Sequence, residues 1–175
     1  MMRFLRGIAP DMPTLRFRTQ QMEGSIRPDM WGYDEAEPRV YIENKFWAGL
    51  TDNQPVSYLK QLAQYTQPAI LLVVVPDARE QTMRRELVRR LKDAGISLID
   101  RGNTSDSIVH SIMTGIGPIL ALTSWTRLLA ALELEVAEDP SGRSDILQLR
   151  ALCEAADSEA FVPISSSELT DQLTP

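Results

Sequence analysis

One cysteine and one histidine occur among the 175 residues, and each scarcity removes a class of chemistry. His110 has no second histidine and Cys153 no second cysteine, so a zinc centre on His or Cys ligands, which needs three or four such donors, is excluded. An internal disulfide is equally impossible, and the place of Cys153 in an apolar helical pattern marks a buried thiol rather than a nucleophile. Ser-His-Asp catalysis would have to recruit His110, and no Gly-x-Ser-x-Gly elbow is present, so His110 reads as structural. Gly115-Ile116-Gly117-Pro118 is too short for a phosphate loop, and Gly-x-x-x-x-Gly-Lys is missing. No apolar run approaches the roughly eighteen residues that cross a bilayer. The start MMRFLRGIAPDMP lacks the apolar centre of an export signal, so a cytoplasmic location without a membrane partner is expected. Excess positive charge is lacking too. A net charge of −6 argues against a protein that coats nucleic acid, although bound cations and a local basic stripe can hold substrate on an acidic protein.

The 43% apolar content is that of a folded globular chain, and its length suits one domain over residues 1–163 with a polar tail at 164–175. Residues 69–75 (AILLVVV) form a continuous apolar run, expected of a strand covered on both faces. A helix over residues 78–94 follows, with Gly95 as its stop and a short strand at 96–99. That succession implies a parallel strand pair with a right-handed crossover. Residues 101–107 read as a loop and 118–123 as a last short strand. Ser124 caps a helix from Trp125 to about residue 138, and after the break Asp139-Pro140-Ser141-Gly142 another helix covers residues 144–156, with Ile146, Leu147, Leu149 and Leu152 inward. The fold class is α/β: a mixed central sheet flanked by helices, with the extra C-terminal helices packed on it.

Chemistry concentrates earlier in the chain. Residues 39–46 (RVYIENKF) alternate Val40 and Ile42 against Tyr41, Glu43 and Lys45, so Glu43 and Lys45 leave one face of a strand at its end. Residues 25–33 read as a preceding strand, and Asp34-Glu35-Ala36-Glu37-Pro38 as the turn between them. With that turn centred on Ala36, Asp29 and Glu43 stand opposite each other, a repulsive pairing at about 4.5 to 5.5 Å between Cβ atoms. A divalent cation on oxygen ligands, Mg²⁺ or Mn²⁺, relieves it most simply. The alternative is an outward Asp29, a shifted register, and Glu43 paired with Lys45 or a nearby arginine.

The order Pro28-Asp29, Glu43-x-Lys45, then a helix bearing Gln54-x-x-x-Tyr58 resembles the PD-(D/E)XK nuclease superfamily, in particular its branches with a Gln-x-x-x-Tyr helix. The resemblance covers at least residues 25–65. It implies a restriction-endonuclease-like core and metal-dependent hydrolysis of DNA phosphodiester bonds, in restriction, phage defence or DNA repair. It further implies Asp29, Glu43 and the Asn44 carbonyl as metal ligands, Lys45 as the group that orients or activates water, and Gln54 and Tyr58 as supports of the site or contacts to nucleic acid. A catalytically inactive member would serve instead as an interaction or assembly module, and a homodimer or larger complex is compatible with either role. Glycoside hydrolysis also uses two carboxylates but gives no place to a lysine two residues from one of them.

Two departures from the family pattern stand out. Gln61-x-x-x-Tyr65 repeats the Gln-x-x-x-Tyr spacing on the same helix face, and Gln54 and Tyr58 are preferred because they lie nearer the strand end. The chain opens with a short proline-containing segment, residues 1–13, where relatives commonly have a helix with another acid; Glu23 is the substitute within reach, or else a surface glutamate. For phosphate contact the best stripe is the helix with Arg79, Arg84, Arg85, Arg89, Arg90 and Lys92, and its plainer reading is a solvated face laced with Glu80, Glu86 and Asp93. Arg27, Arg39 and Lys60 lie nearer the site in sequence.

Overall fold

The computed structural model describes residues 1–19, 22, 26–35, 37–52, 54–100 and 108–160, with side chains left aside at 100 and 157–160. Glu23, Ala36, Asn53, the loop at 101–107 and the tail therefore lie outside the described residues.

Among the described residues seven strands form one mixed sheet: β1 (Arg16–Thr19), β2 (Met30–Asp34), β3 (Glu37–Asn44), β4 (Ile70–Val75), β5 (Leu98–Asp100), β6 (His110–Thr114) and β7 (Ile119–Ser124), in the spatial order β1-β2-β3-β4-β7-β6-β5. The meander β1-β2-β3 is antiparallel, β3, β4 and β7 run parallel, and β7-β6-β5 is antiparallel again. Helices α1 (Met2–Ile8) and α4 (Trp125–Glu135) cover one face, and α2 (Val56–Leu62) and α3 (Glu80–Asp93) the other. Helix α5 (Pro140–Ala160) packs against α4. Period-two alternation divides the core accordingly: Tyr41, Leu71 and Val73 face α2 and α3, while Val40, Ile42, Leu72 and Val74 face α1 and α4. All six residues of β4 and all six of β7 are buried, as strands covered on both faces must be.

Several expectations need correction. β4 and β5 are not neighbours, because β7 and β6 come between them. The apolar β7 takes the central place beside β4, and the three-residue β5, with Ile99 58% exposed, takes the edge. Strand β6 was not expected from the sequence, where Gly115 to Pro118 read only as a failed phosphate loop; those residues turn the β6-β7 hairpin. The segment before β1 is helical after all, since Phe4, Leu5 and Ile8 share one buried stripe at helical spacing. The helix expected to bear both Gln54 and Tyr58 leaves Gln54 outside: it starts beyond Pro55 without a side-chain cap and gives way to turns after Leu62. A single 3-10 turn, Asp77–Arg79, occupies the first residues of the span expected to be α-helical before α3. Leu147 and Leu152 face outward at 56% and 68% exposure, and Cys153 is the residue of that stretch that is buried.

Other local signals hold. Gly95 takes φ +71°, and the N–H of Ile96 reaches back to Leu91 O at 2.9 Å, closing α3 in the left-handed manner glycine favours. Ser124 caps α4 by accepting from Arg127 N–H at 3.3 Å. The lone His110 stands 3.5 Å from Glu80 Oε1, which also accepts from Arg127 at 2.8 Å, a structural contact joining β6, α3 and α4.

Candidate active site

The register of β2 on β3 pairs Met30 with Ile42, Trp31 with Tyr41 and Gly32 with Val40. Extended by one residue, it sets Asp29 level with Glu43, at the place where β2 begins and β3 ends. Asp29 is exposed, and its Oδ2 accepts a 2.8 Å hydrogen bond from Asn44 N–H, so the carboxylate is turned onto the end of β3 rather than simply out to water. On the face shared with Tyr41, Lys45 Nζ lies 2.9 Å from Glu43 Oε1. Both side chains are enclosed, the residues being 5% and 7% exposed. The opposed acids and the Glu43-Lys45 pair, weighed as alternatives from the sequence, thus coexist.

Glu43 is a costly group to bury. Its second oxygen, Oε2, is enclosed and makes no hydrogen bond among the described residues. Burial raises the Glu43 carboxyl above its ordinary 4.5; Lys45 counters this by hydrogen bond and charge, Asp29 adds to it, and the nearby Gln54 amide offsets a little. An enclosed polar atom without a partner ordinarily costs about 1 to 3 kcal/mol. Among the described residues Trp31 Nε1, Arg39 Nε and Trp125 Nε1 are enclosed in the same way but are donors, so Glu43 Oε2 is the acceptor of the set.

Backbone geometry supplies another oxygen. Lys45 N–H donates to Val74 O at 2.9 Å, so Lys45 faces β4 and Asn44 presents its own N–H and C=O to the opposite edge, on the Asp29 side. The β2 register puts Pro28 opposite Asn44, and a proline has no N–H to give that carbonyl. The Pro-Asp dipeptide therefore stops the ladder, withholds a donor from Asn44 C=O, and delivers a carboxylate to Asn44 N–H.

Helix α2 and the turn before it close the site. Gln54 is 4% exposed; its Nε2 donates to Tyr58 OH at 3.1 Å, and its Oε1 accepts from Thr51 N–H at 3.3 Å. Burial raises the Tyr58 hydroxyl, Gln54 and the Arg27 backbone oppose that, and the charges of Glu43 and Asp29 add to it. The hydroxyl thus lies within electrostatic reach of both acids. An aromatic column fixes the helix behind it, Trp31 against Tyr41 at 4.8 Å and Tyr41 edge-on to Tyr58 at 6.1 Å. Gln61 and Tyr65 instead bond to each other at 3.2 Å, half-buried, with Tyr65 already beyond the helix.

Two arginines missed as site residues hold the loop at 46–54. Arg79 donates to the carbonyls of Phe46 and Ala48 at 2.7 and 3.1 Å. Arg90 donates to those of Leu50 and Gln54 at 3.1 and 2.9 Å and also to Thr51 O, while its Nε pairs with Glu86. Only the basic pattern of α3 hinted at them. Arg39 is corrected as a phosphate candidate: it pairs with Asp34 and donates to Thr66 O, at the opposite end of β3 from Glu43. Arg89 is paired with Glu86 and Asp93, as the solvated-face reading has it.

The donor set can be tested against Mg²⁺ or Mn²⁺. Among the described residues no group of three or more His, Cys, Asp or Glu is gathered that could hold a metal. Asp29, Glu43 Oε2 and the Asn44 carbonyl are nonetheless all hard oxygen donors at one strand end, and one is an orphaned carboxylate oxygen, which fits a cation that keeps several waters. Comparison with protein-family models, curated proteins and solved structures gave no match to this chain. Among the described residues no helix is long and apolar enough to cross a membrane.

Proposed function

We propose that the protein is a metal-dependent nuclease of PD-(D/E)XK type that hydrolyses phosphodiester bonds of DNA. The observation that carries the reading is the enclosed Glu43, with Lys45 on one carboxylate oxygen and no hydrogen bond to the other among the described residues, beside Asp29 at the same strand end. The order of parts supports it: an acid entering β2, Glu-x-Lys closing the antiparallel partner β3, and the Gln-x-x-x-Tyr pair at the following helix.

Asp29, Glu43 and the Asn44 carbonyl would hold Mg²⁺ or Mn²⁺. The bound ion would lower the pKa of its water and offset charge on the phosphate. Lys45 is all donor, so it can present hydrogen bonds to an attacking water or to a phosphate oxygen but cannot ligate a cation. Glu43 Oε1 aims it. Gln54 and Tyr58 brace the enclosed side, and substrate would approach across the exposed Asp29.

A second reading, a catalytically inactive assembly module, draws on the enclosure itself, since Glu43 and Lys45 satisfy part of each other's need and face little solvent. Metal linkage separates the two. A cation that binds only the folded site stabilises it by about 2.7 kcal/mol at a hundred times its Kd. Thermal melts and titration calorimetry with Mn²⁺ should therefore show stabilisation that Asp29→Asn abolishes; no response at millimolar Mn²⁺ favours the assembly module.

A further inference from the structure

Trp47 follows the site by two residues and keeps part of its indole accessible, at 41% exposure. Its backbone is pinned on both sides. Arg79 bonds the carbonyls of Phe46 and Ala48, and Phe46 is stacked on Trp125 at 5.3 Å with the rings 19° apart. The backbone that carries the half-exposed indole is thus fixed on either side of it.

Past Trp47 the loop borders an open hollow of about 390 Å³ between Gly49, Leu50 and α3. Arg79, Arg85, Arg89 and Arg90 line it with Glu86, which pairs with Arg89 and Arg90, and Asp93 just outside the lining pairs with Arg89 as well. Arg79 and Arg85 instead bond to neutral oxygens, the carbonyls of Phe46 and Ala48 and those of Gln81, which leave their charge in place. A chain whose net charge is −6 concentrates cations here, one loop away from Lys45.

We infer that Trp47 and this hollow form a track for a single nucleic-acid strand, with the indole stacked on an unpaired base next to the scissile phosphate and the arginines of α3 against the phosphates that follow. An exposed aromatic beside a positive groove is the combination that binds single strands, because every base offers a π-face while the backbone supplies the charge. A duplex keeps its bases stacked internally and would use only the arginines. The inference rests on the proposed nuclease reading for the direction of the strand, and it narrows the substrate class to single-stranded or frayed ends.

The test is fluorescence anisotropy with a labelled oligothymidylate and with a blunt duplex of equal length, in Ca²⁺, alongside a Mg²⁺ cleavage gel on the same two substrates. Wild type should bind the single strand more tightly. Trp47→Ala should weaken that binding about tenfold or more, Trp47→Phe should retain part of it, and duplex binding should change little. Arg85→Ala with Arg89→Ala should flatten the salt dependence by about 0.7 in log-log slope per lost phosphate contact. Single-strand binding that is undetectable, or unchanged in Trp47→Ala, overturns the track. If the gel then still shows cleavage, the nuclease reading survives without it; Trp47-dependent binding with no cleavage keeps the track and rejects the nuclease.

Discussion

Asp29 Oδ2 accepts its 2.8 Å hydrogen bond from the N–H of Asn44, the residue that separates Glu43 from Lys45. One contact thereby ties the acid before β2 to the middle of the Glu-x-Lys triplet, and it exists because Pro28 ends the ladder there. Glu43 is left between a lysine on its enclosed face and Asp29 beyond the strand end, and its protonation responds to both.

A pH dependence follows from the raised Glu43 carboxyl. The folded state holds this proton more tightly than the unfolded one, so the contribution is favourable below the ordinary 4.5 and is lost as pH rises through the elevated folded value. Glu43→Gln should match wild type in stability at acid pH and exceed it at neutral pH without metal. Urea melts across pH check this, and a Glu43→Gln protein less stable than wild type at neutral pH would show that pairing with Lys45 outweighs desolvation.

Tyr58→Phe removes a hydroxyl that meets the Gln54 amide at 3.1 Å but keeps the ring against Tyr41. Stability should fall by only about 1 kcal/mol, while cleavage falls at least tenfold. Gln61→Ala should leave cleavage near wild type. Equal losses in a gel assay of the two variants would shift the supporting pair to Gln61 and Tyr65.

Arg79→Ala should destabilise the fold by about 1.5 to 3 kcal/mol, the range for hydrogen bonds that involve a charged group. Arg79→Lys should not restore it, because an ammonium does not reproduce the fork that spans Phe46 O and Ala48 O. Denaturant midpoints decide, and full rescue by lysine would mean that charge alone matters.

The site was legible in the sequence partly through compensation between two local errors. A turn centred on Ala36 gives the right facing of Asp29 and Glu43, yet the strands close more tightly, Asp34 pairing with Glu37. A bulge at Gly32/Tyr33, with Arg39 as the extra residue on β3, restores the register before it reaches the acids. Alternation could place Glu43 and Lys45 on one face because Val40 and Ile42 are unambiguous core residues. Sheet order was not legible: nothing local tells β4 to pair with β7 across an intervening helix and hairpin, and β6 hides its apolar residues in HSIMT. The arginine clamp was invisible for a similar reason, since Arg79 and Arg90 bond to carbonyls some thirty to forty residues earlier, which no charge pattern records.

Metal-dependent cleavage by wild type and Lys45→Ala, run on linear, circular and single-stranded DNA with Mg²⁺ or Mn²⁺, tests the central claim most directly. Wild type should cut in a metal-dependent manner, and Lys45→Ala should lose on the order of 10² or more in rate while still being stabilised by Mn²⁺, because an ammonium is no ligand. Glu43→Ala should lose both responses. Absence of cleavage by wild type on every substrate at high enzyme concentration, or undiminished cleavage by Lys45→Ala, would contradict the assignment of this strand end as a nuclease centre.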